Sequence, residues 1–100
     1  MKAFIASILV QIACVVIAAS DAKPKDGFVP DAATAIKIAL AVWEPIYGAG
    51  EIAQQKPYRA YLKDEVWIVT GTLPDDMVGG VAYAEIRKKD GCIITVSHGE

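Results

Sequence analysis

The residue types able to do chemistry are few in this chain, and their spacing works against most reactions. His98 is the single histidine, and it has no second His or Cys at ligand spacing, so no metal is expected. Ser97 beside His98 cannot act as nucleophile and base, because neighbours on a strand point to opposite faces. Gly79-Gly80 lacks the lysine and helix that would make it a phosphate loop. Asp75-Asp76 follows Pro74 in a turn-rich stretch, and two adjacent acids supply too few oxygens for a hard cation. Glu44, next to Pro45, becomes a pocket acid only if burial shifts its pKa. No catalytic residue, cofactor or metal is expected, and the chain reads as a protein other than an enzyme.

A binding surface is better supported. Tyr58, Tyr61, Trp67 and Tyr83 are interleaved with Arg59, Lys63 and Arg87, and aromatic residues and arginine are enriched at protein interfaces. Half of these aromatics are expected in the core. Arg59, Tyr61, Tyr83 and Arg87 fall on the polar side of the strands that carry them and form the candidate partner-facing patch.

Positioning that patch requires a fold, and length allows one domain at most. Residues 1–20, MKAFIASILVQIACVVIAAS, have a single cation at Lys2, then an apolar run closed by small residues, the pattern of a secretory signal peptide. Cleavage is expected near Ser20 or Ala22, giving a signal over 1–22 and an exported, periplasmic protein. An uncleaved anchor and a lipid-modified Cys14 are the alternatives. Removing 22 of the 100 residues leaves 78 with the net charge still −2. That balance gives no reason to expect nucleic acid or an anionic membrane as partner. Cys92 is then the single cysteine, so no intramolecular disulfide forms, and it is expected as a small buried hydrophobe.

Residues 23–29 read as a flexible leader before a domain spanning 30–99. Pro30-Asp31 opens a helix, where the missing proline N–H costs nothing and a carboxylate suits the helix start. Ala32, Ala35, Ile36, Ala39, Leu40, Trp43 and Tyr47 make one apolar stripe. Pro45 strains the last turn and Gly48 ends it. Ala49 to Gln55 fits either a further helical turn or a loop.

Tyr58–Lys63 and Val66–Gly71 alternate as strands. A two-residue turn at Asp64-Glu65 sets Leu62 opposite Trp67 and Ala60 opposite Val69, although Glu65 stands where glycine is favoured; a three-residue loop would instead set Tyr61 opposite Trp67. Leu62, Trp67 and Val69 are expected inward, Arg59 and Tyr61 outward. The last hairpin, Val81–Lys88 and Cys92–Ser97, turns through Lys89-Asp90-Gly91 with Gly91 left-handed. That loop collects Ala82, Ala84, Ile86, Cys92, Ile94 and Val96 on one face, and one buried face opposes a slip. Gly79-Gly80 suits a close approach of two chain segments. The expected architecture is α+β, an N-terminal amphipathic helix packed on a four-stranded antiparallel meander.

Three segments, FVPDAATAIKIALAVWEPIYG, QKPYRAYLKDEVWIVTGTLP and GGVAYAEIRKKDGCIITVSHG, resemble the nuclear transport factor 2 fold immunity proteins of bacterial polymorphic toxin systems. The resemblance covers residues 28–99. It rests on the helix ending Pro45-Ile46-Tyr47-Gly48, the Lys56-Pro57-Tyr58 entry, Trp67 with Gly71, Gly79-Gly80, and Asp90-Gly91. It implies a nuclear transport factor 2-like fold and an antidote that binds and blocks a cognate protein toxin, here in the periplasm. It carries over no catalytic residues. It also marks Asp75 and Asp76 as a loop suited to partner-specific contact. The alternative is a small periplasmic ligand-binding or hydrolase-inhibitor domain, whose pocket would be lined by Glu44, Tyr47, Tyr58 or Trp67.

Overall fold

A computed structural model describes residues 24–75 and 78–99. The expected signal segment, residues 1–22, lies outside the described residues, as does Asp76. No helix among the described residues is long and apolar enough to cross a membrane.

Helix α1, Ala32–Tyr47, begins where the sequence puts it. Asp31 caps it from an extended conformation, its carboxylate accepting from the Thr34 backbone N–H at 2.8 Å and the Thr34 hydroxyl at 2.6 Å. Pro45 is accommodated inside the last turn, and Gly48 closes it at φ 97° with its N–H donating to the Glu44 carbonyl. The ambiguous stretch after it is a one-turn helix α2, Ala49–Ala53, which buries Ile52. A cis Lys56–Pro57 peptide then leads into the sheet.

Strands β1 (Arg59–Lys63), β2 (Val66–Thr70), β3 (Ala82–Arg87) and β4 (Ile93–His98) form one antiparallel meander in the order β1-β2-β3-β4. The first hairpin has the expected register, with Leu62 opposite Trp67 and Ala60 opposite Val69. Its turn puts both Asp64 (φ 51°) and Glu65 (φ 62°) in the left-handed region, the geometry of a two-residue turn that matches strand twist.

Helix α1 lies on one face of the sheet, chiefly across β1, β2 and β3. Ala35 and Ala39 are fully buried and short enough to bring helix and sheet backbones close, while Trp43 fills the remaining depth. The core unites Val29, Trp43, Ile52, Trp67, Val69, Ala82, Ala84 and Ile86. Each buried indole is satisfied: Trp43 Nε1 donates to the Tyr83 carbonyl at 3.3 Å and Trp67 Nε1 to the Val29 carbonyl at 2.8 Å.

Four expectations need correction. Gly27–Val29, expected to belong to a flexible leader, is docked: the Phe28 and Val29 N–H groups donate to the Lys89 and Lys88 carbonyls, both at 3.0 Å. Val29 is 1% exposed, and burial of an apolar side chain outweighs the freedom of a loose segment. Leu62 keeps its partner but is 41% exposed, because β1 is an edge strand with a sheet neighbour on one side only.

In the last hairpin Gly91 is left-handed as expected, at φ 76°. Ala84 faces Val96 and Glu85 faces Thr95, but a bulge then sets Ile86 opposite Ile93 instead of Ile94. The turn accounts for the shift. Cys92 is held by it, donating its N–H to Asp90 Oδ1 and accepting from Arg87 N, so the extra residue is absorbed inside β4. Cys92 and Ile94, expected inward, are exposed, since α1 packs chiefly on the other three strands.

Candidate functional site

The face of the sheet turned away from α1 carries the candidate patch. Strand pairing sets Arg59, Thr70, Tyr83 and Ser97 in one row, Tyr61, Ile68, Glu85 and Thr95 in the next, and Lys63, Val66 and Arg87 in a third. Four of the six sequence-selected residues, Arg59, Tyr61, Tyr83 and Arg87, are thereby brought onto one surface. Asp75 stands apart, exposed in the loop between β2 and β3. Alternation of side chains along a strand produces this grouping, and the register of each hairpin fixes which residues are neighbours.

At the centre, Tyr61 is 56% exposed while Ile68 beside it is 9% exposed. Ile68 lies on the uncovered face, and its cover comes from neighbours: Tyr61 and Glu85 across the strands, Val66 and Thr70 along its own. Sequence reasoning did not include Ile68; its place in the β2 alternation, opposite Tyr61, was the available signal.

The charges on this face are unevenly engaged. Glu85 accepts from the Tyr83 hydroxyl at 2.5 Å and from the Thr95 hydroxyl at 3.4 Å. The Glu85 carboxylate pushes the Tyr83 phenol up to about 12, first through that hydrogen bond and then with help from burial. Tyr83 is therefore a neutral donor fixed in place. Arg87 pairs with Asp90 at 3.0 Å across a half-exposed site. Arg59 and Lys63 are exposed on β1.

Away from this face, at one end of the sheet, sits a polar cluster that the sequence did not reveal. Gln55 is 3% exposed, accepts from the Ala82 N–H at 2.8 Å through Oε1, and meets His98 Nε2 at 2.9 Å through Nε2. Because Oε1 is an acceptor there, Nε2 donates, and His98 Nε2 must be the unprotonated nitrogen. Nδ1–H then donates to the Gly99 carbonyl at 2.8 Å, a consistent neutral tautomer. In that state the 4.0 Å approach of Glu51 to His98 is a contact, not an ion pair. His98, near the end of β4, is held in the cluster and packed on Tyr47 with ring centroids 5.0 Å apart.

A cavity of about 150 Å³ opens beside this cluster, between Glu51, Gln55, Leu73, Gly80 and His98. The residues expected to line a ligand pocket lie elsewhere in function. Glu44 is exposed, Tyr58 donates its hydroxyl to the Ile52 carbonyl at 2.8 Å, and Trp67 is tied to Val29. Among the described residues no group of three His, Cys, Asp or Glu side chains could hold a metal.

A helix laid on a four-stranded antiparallel meander, with a polar-aromatic outer face, defines a small α+β protein. The family model described as NTF2 fold immunity protein matches residues 34–100, and the chain belongs to that family. It is 34% identical over 73 residues to the uncharacterized protein YhhH of Escherichia coli K12, covering 72% of this chain and 58% of that protein. It is 38% identical over 53 residues to the uncharacterized protein YbbC of the same organism, covering 52% of this chain and 43% of that protein. The chain thus spans about half the length of these curated relatives. No solved structure gives a significant match.

Proposed function

We propose that this protein is an exported immunity protein that binds a cognate bacterial toxin and neutralises it by protein–protein contact in the periplasm. The observation that carries this reading is membership of the immunity family over residues 34–100. The contact is made by the outer sheet face through Arg59, Tyr61, Tyr83 and Arg87, with the Asp75-Asp76 loop adding partner-specific contacts. Two features of that face support the assignment. Tyr61 offers a large, 56% exposed amphipathic side chain in the middle row of the outer face, on edge strand β1, the kind of anchor that dominates interface energetics. Glu85 is engaged by Tyr83 and Thr95, while Arg59 and Lys63 point to solvent, so the face presents net positive charge to an acidic partner surface.

Co-expression with toxin genes taken from the immediate gene neighbourhood tests the reading. Growth should be rescued by the wild-type chain in at least one pairing, and failure with every adjacent candidate would overturn it. With the matching toxin in hand, Tyr61→Ala should weaken binding by about 2 kcal/mol, and Arg59→Glu should slow association most at low salt. Export is tested separately: cell fractionation and intact mass should show a periplasmic species shortened by the 22-residue signal.

A further inference from the structure

Among the described residues the sheet has two open edges, and they differ in a way that bears on self-association. Strand β1 exposes its edge with a cation at each end, Arg59 and Lys63, and follows Pro57, the usual means of blunting an edge. Strand β4, Ile93–His98, is the other edge among the described residues; it carries neither cation nor proline, and its bulge at Ile94 leaves Thr95–His98 in regular register. Its sequence IITVSH holds no Asp, Glu, Lys or Arg, no proline and no glycine, and Ile93 and Ile94 are 39% and 44% exposed. Such a strand is a template for pairing with another.

We infer that the β4 edge pairs antiparallel with β4 of a second copy of this chain, joining two sheets into one of eight strands. Three observations select a second copy. An uncharged strand meets no like charge when it faces itself, so a two-fold contact carries no repulsion. The Gly99 N–H donates inward to the Val81 carbonyl, and alternation along β4 then directs the backbone groups of Val96 and His98 to the open side. A pair centred near Val96 uses those groups reciprocally. Finally, the antiparallel arrangement brings the Lys88-Lys89 turn of each copy toward the end of the other where Glu51 stands beside His98. Main-chain pairing of one short strand buries a small area, below about 1,200 Å² in total, so the dimer is concentration-dependent.

Sedimentation of the protein purified from cells expressing the full chain tests this without any toxin present. The weight-average mass should rise toward twice the protomer mass with concentration. Ser97→Lys, at an exposed position only two residues from its symmetry mate when the pair is centred on Val96, should raise the dissociation constant about tenfold or more by placing like charges diagonally across the axis. Lys63→Glu on the opposite edge should leave it unchanged. Hydrogen exchange on the wild-type protein gives a second measure: the Val96 and His98 amides should slow as concentration rises. A monomer at every concentration, a dimer indifferent to Ser97→Lys, or an edge that becomes protected only on adding a different protein would each overturn the inference. None of these outcomes depends on toxin neutralisation.

Discussion

Gly71 and Gln55 make a matched pair of residues. A Cβ built on Gly71 would lie 2.4 Å from Gln55 Oε1, and Gln55 has no room to yield because both ends of its amide are engaged. Gly71→Ala should therefore destabilise the fold by about 1–3 kcal/mol in chemical denaturation. Gln55→Leu leaves the buried Ala82 N–H without its acceptor and should cost about 1–3 kcal/mol as well. In a Gln55→Ala background the Gly71→Ala penalty should shrink only in part, because Oε1 is gone but the residue 55 Cβ, 2.8 Å from the added methyl, remains. Tyr83 offers a residue-scale pH test. Its folded pKa is raised from 10.0 to about 12, chiefly by the Glu85 hydrogen bond. The stability linked to it is fully present below pH 10 and is lost as pH rises from there through about 12. Phenolate absorbance should show one late-titrating tyrosine, and Glu85→Gln should bring it down toward its ordinary range.

At the scale of elements, the sequence was most legible where one local rule and one buried face agreed. The register at Asp64-Glu65 could be read because only a two-residue turn puts Trp67 and Val69 with Ala60 on one side. The strain in that turn is real, since Glu65 carries a side chain at φ 62°. Glu65→Gly should stabilise the protein by about 1 kcal/mol by relieving a left-handed conformation. The α1 start was equally plain in Pro30-Asp31. Its cap holds the Asp31 carboxyl below the usual carboxylate range, the Thr34 hydroxyl contributing most and the Thr34 N–H next. That stabilisation is present above the ordinary carboxylate range and fades as pH falls through the lower folded value. The melting temperature of Asp31→Ala should lie below that of wild type at neutral pH, and the gap should close in acid. The bulge in β4 was not legible, because it depends on Cys92 being held by Asp90 and Arg87 in the turn, a competition that side-chain alternation does not encode. The outer face was legible as a list of residues; the engagement of Glu85 by Tyr83 and Thr95 was not, since it needs cross-strand distances.

For the whole molecule, the least legible feature was the docking of residues 27–29. DAKPKDGFV is polar and carries proline and glycine, and only the later placement of Trp67 and the Lys88-Lys89 turn gives Val29 a site. Val29→Ala should cost about 1–3 kcal/mol, more than a surface change would, because it opens space in the core. Trp67 emission should report the same event, shifting to the red as its cover thins, while the main-chain carbonyl of residue 29 that accepts from its Nε1 is retained. Removing residues through Val29 should lower the denaturation midpoint. That stitch joins Phe28 and Val29 to the turn between β3 and β4, about sixty positions later in the chain. Its closure is thus a late event in time: a chain emerging from its N-terminus, at a ribosome or through a membrane pore, has no seat for Val29 until Lys89 has appeared. Folding should therefore be cooperative and post-synthetic, and a chain stalled short of that turn should remain soft and protease-sensitive however well α1 has formed.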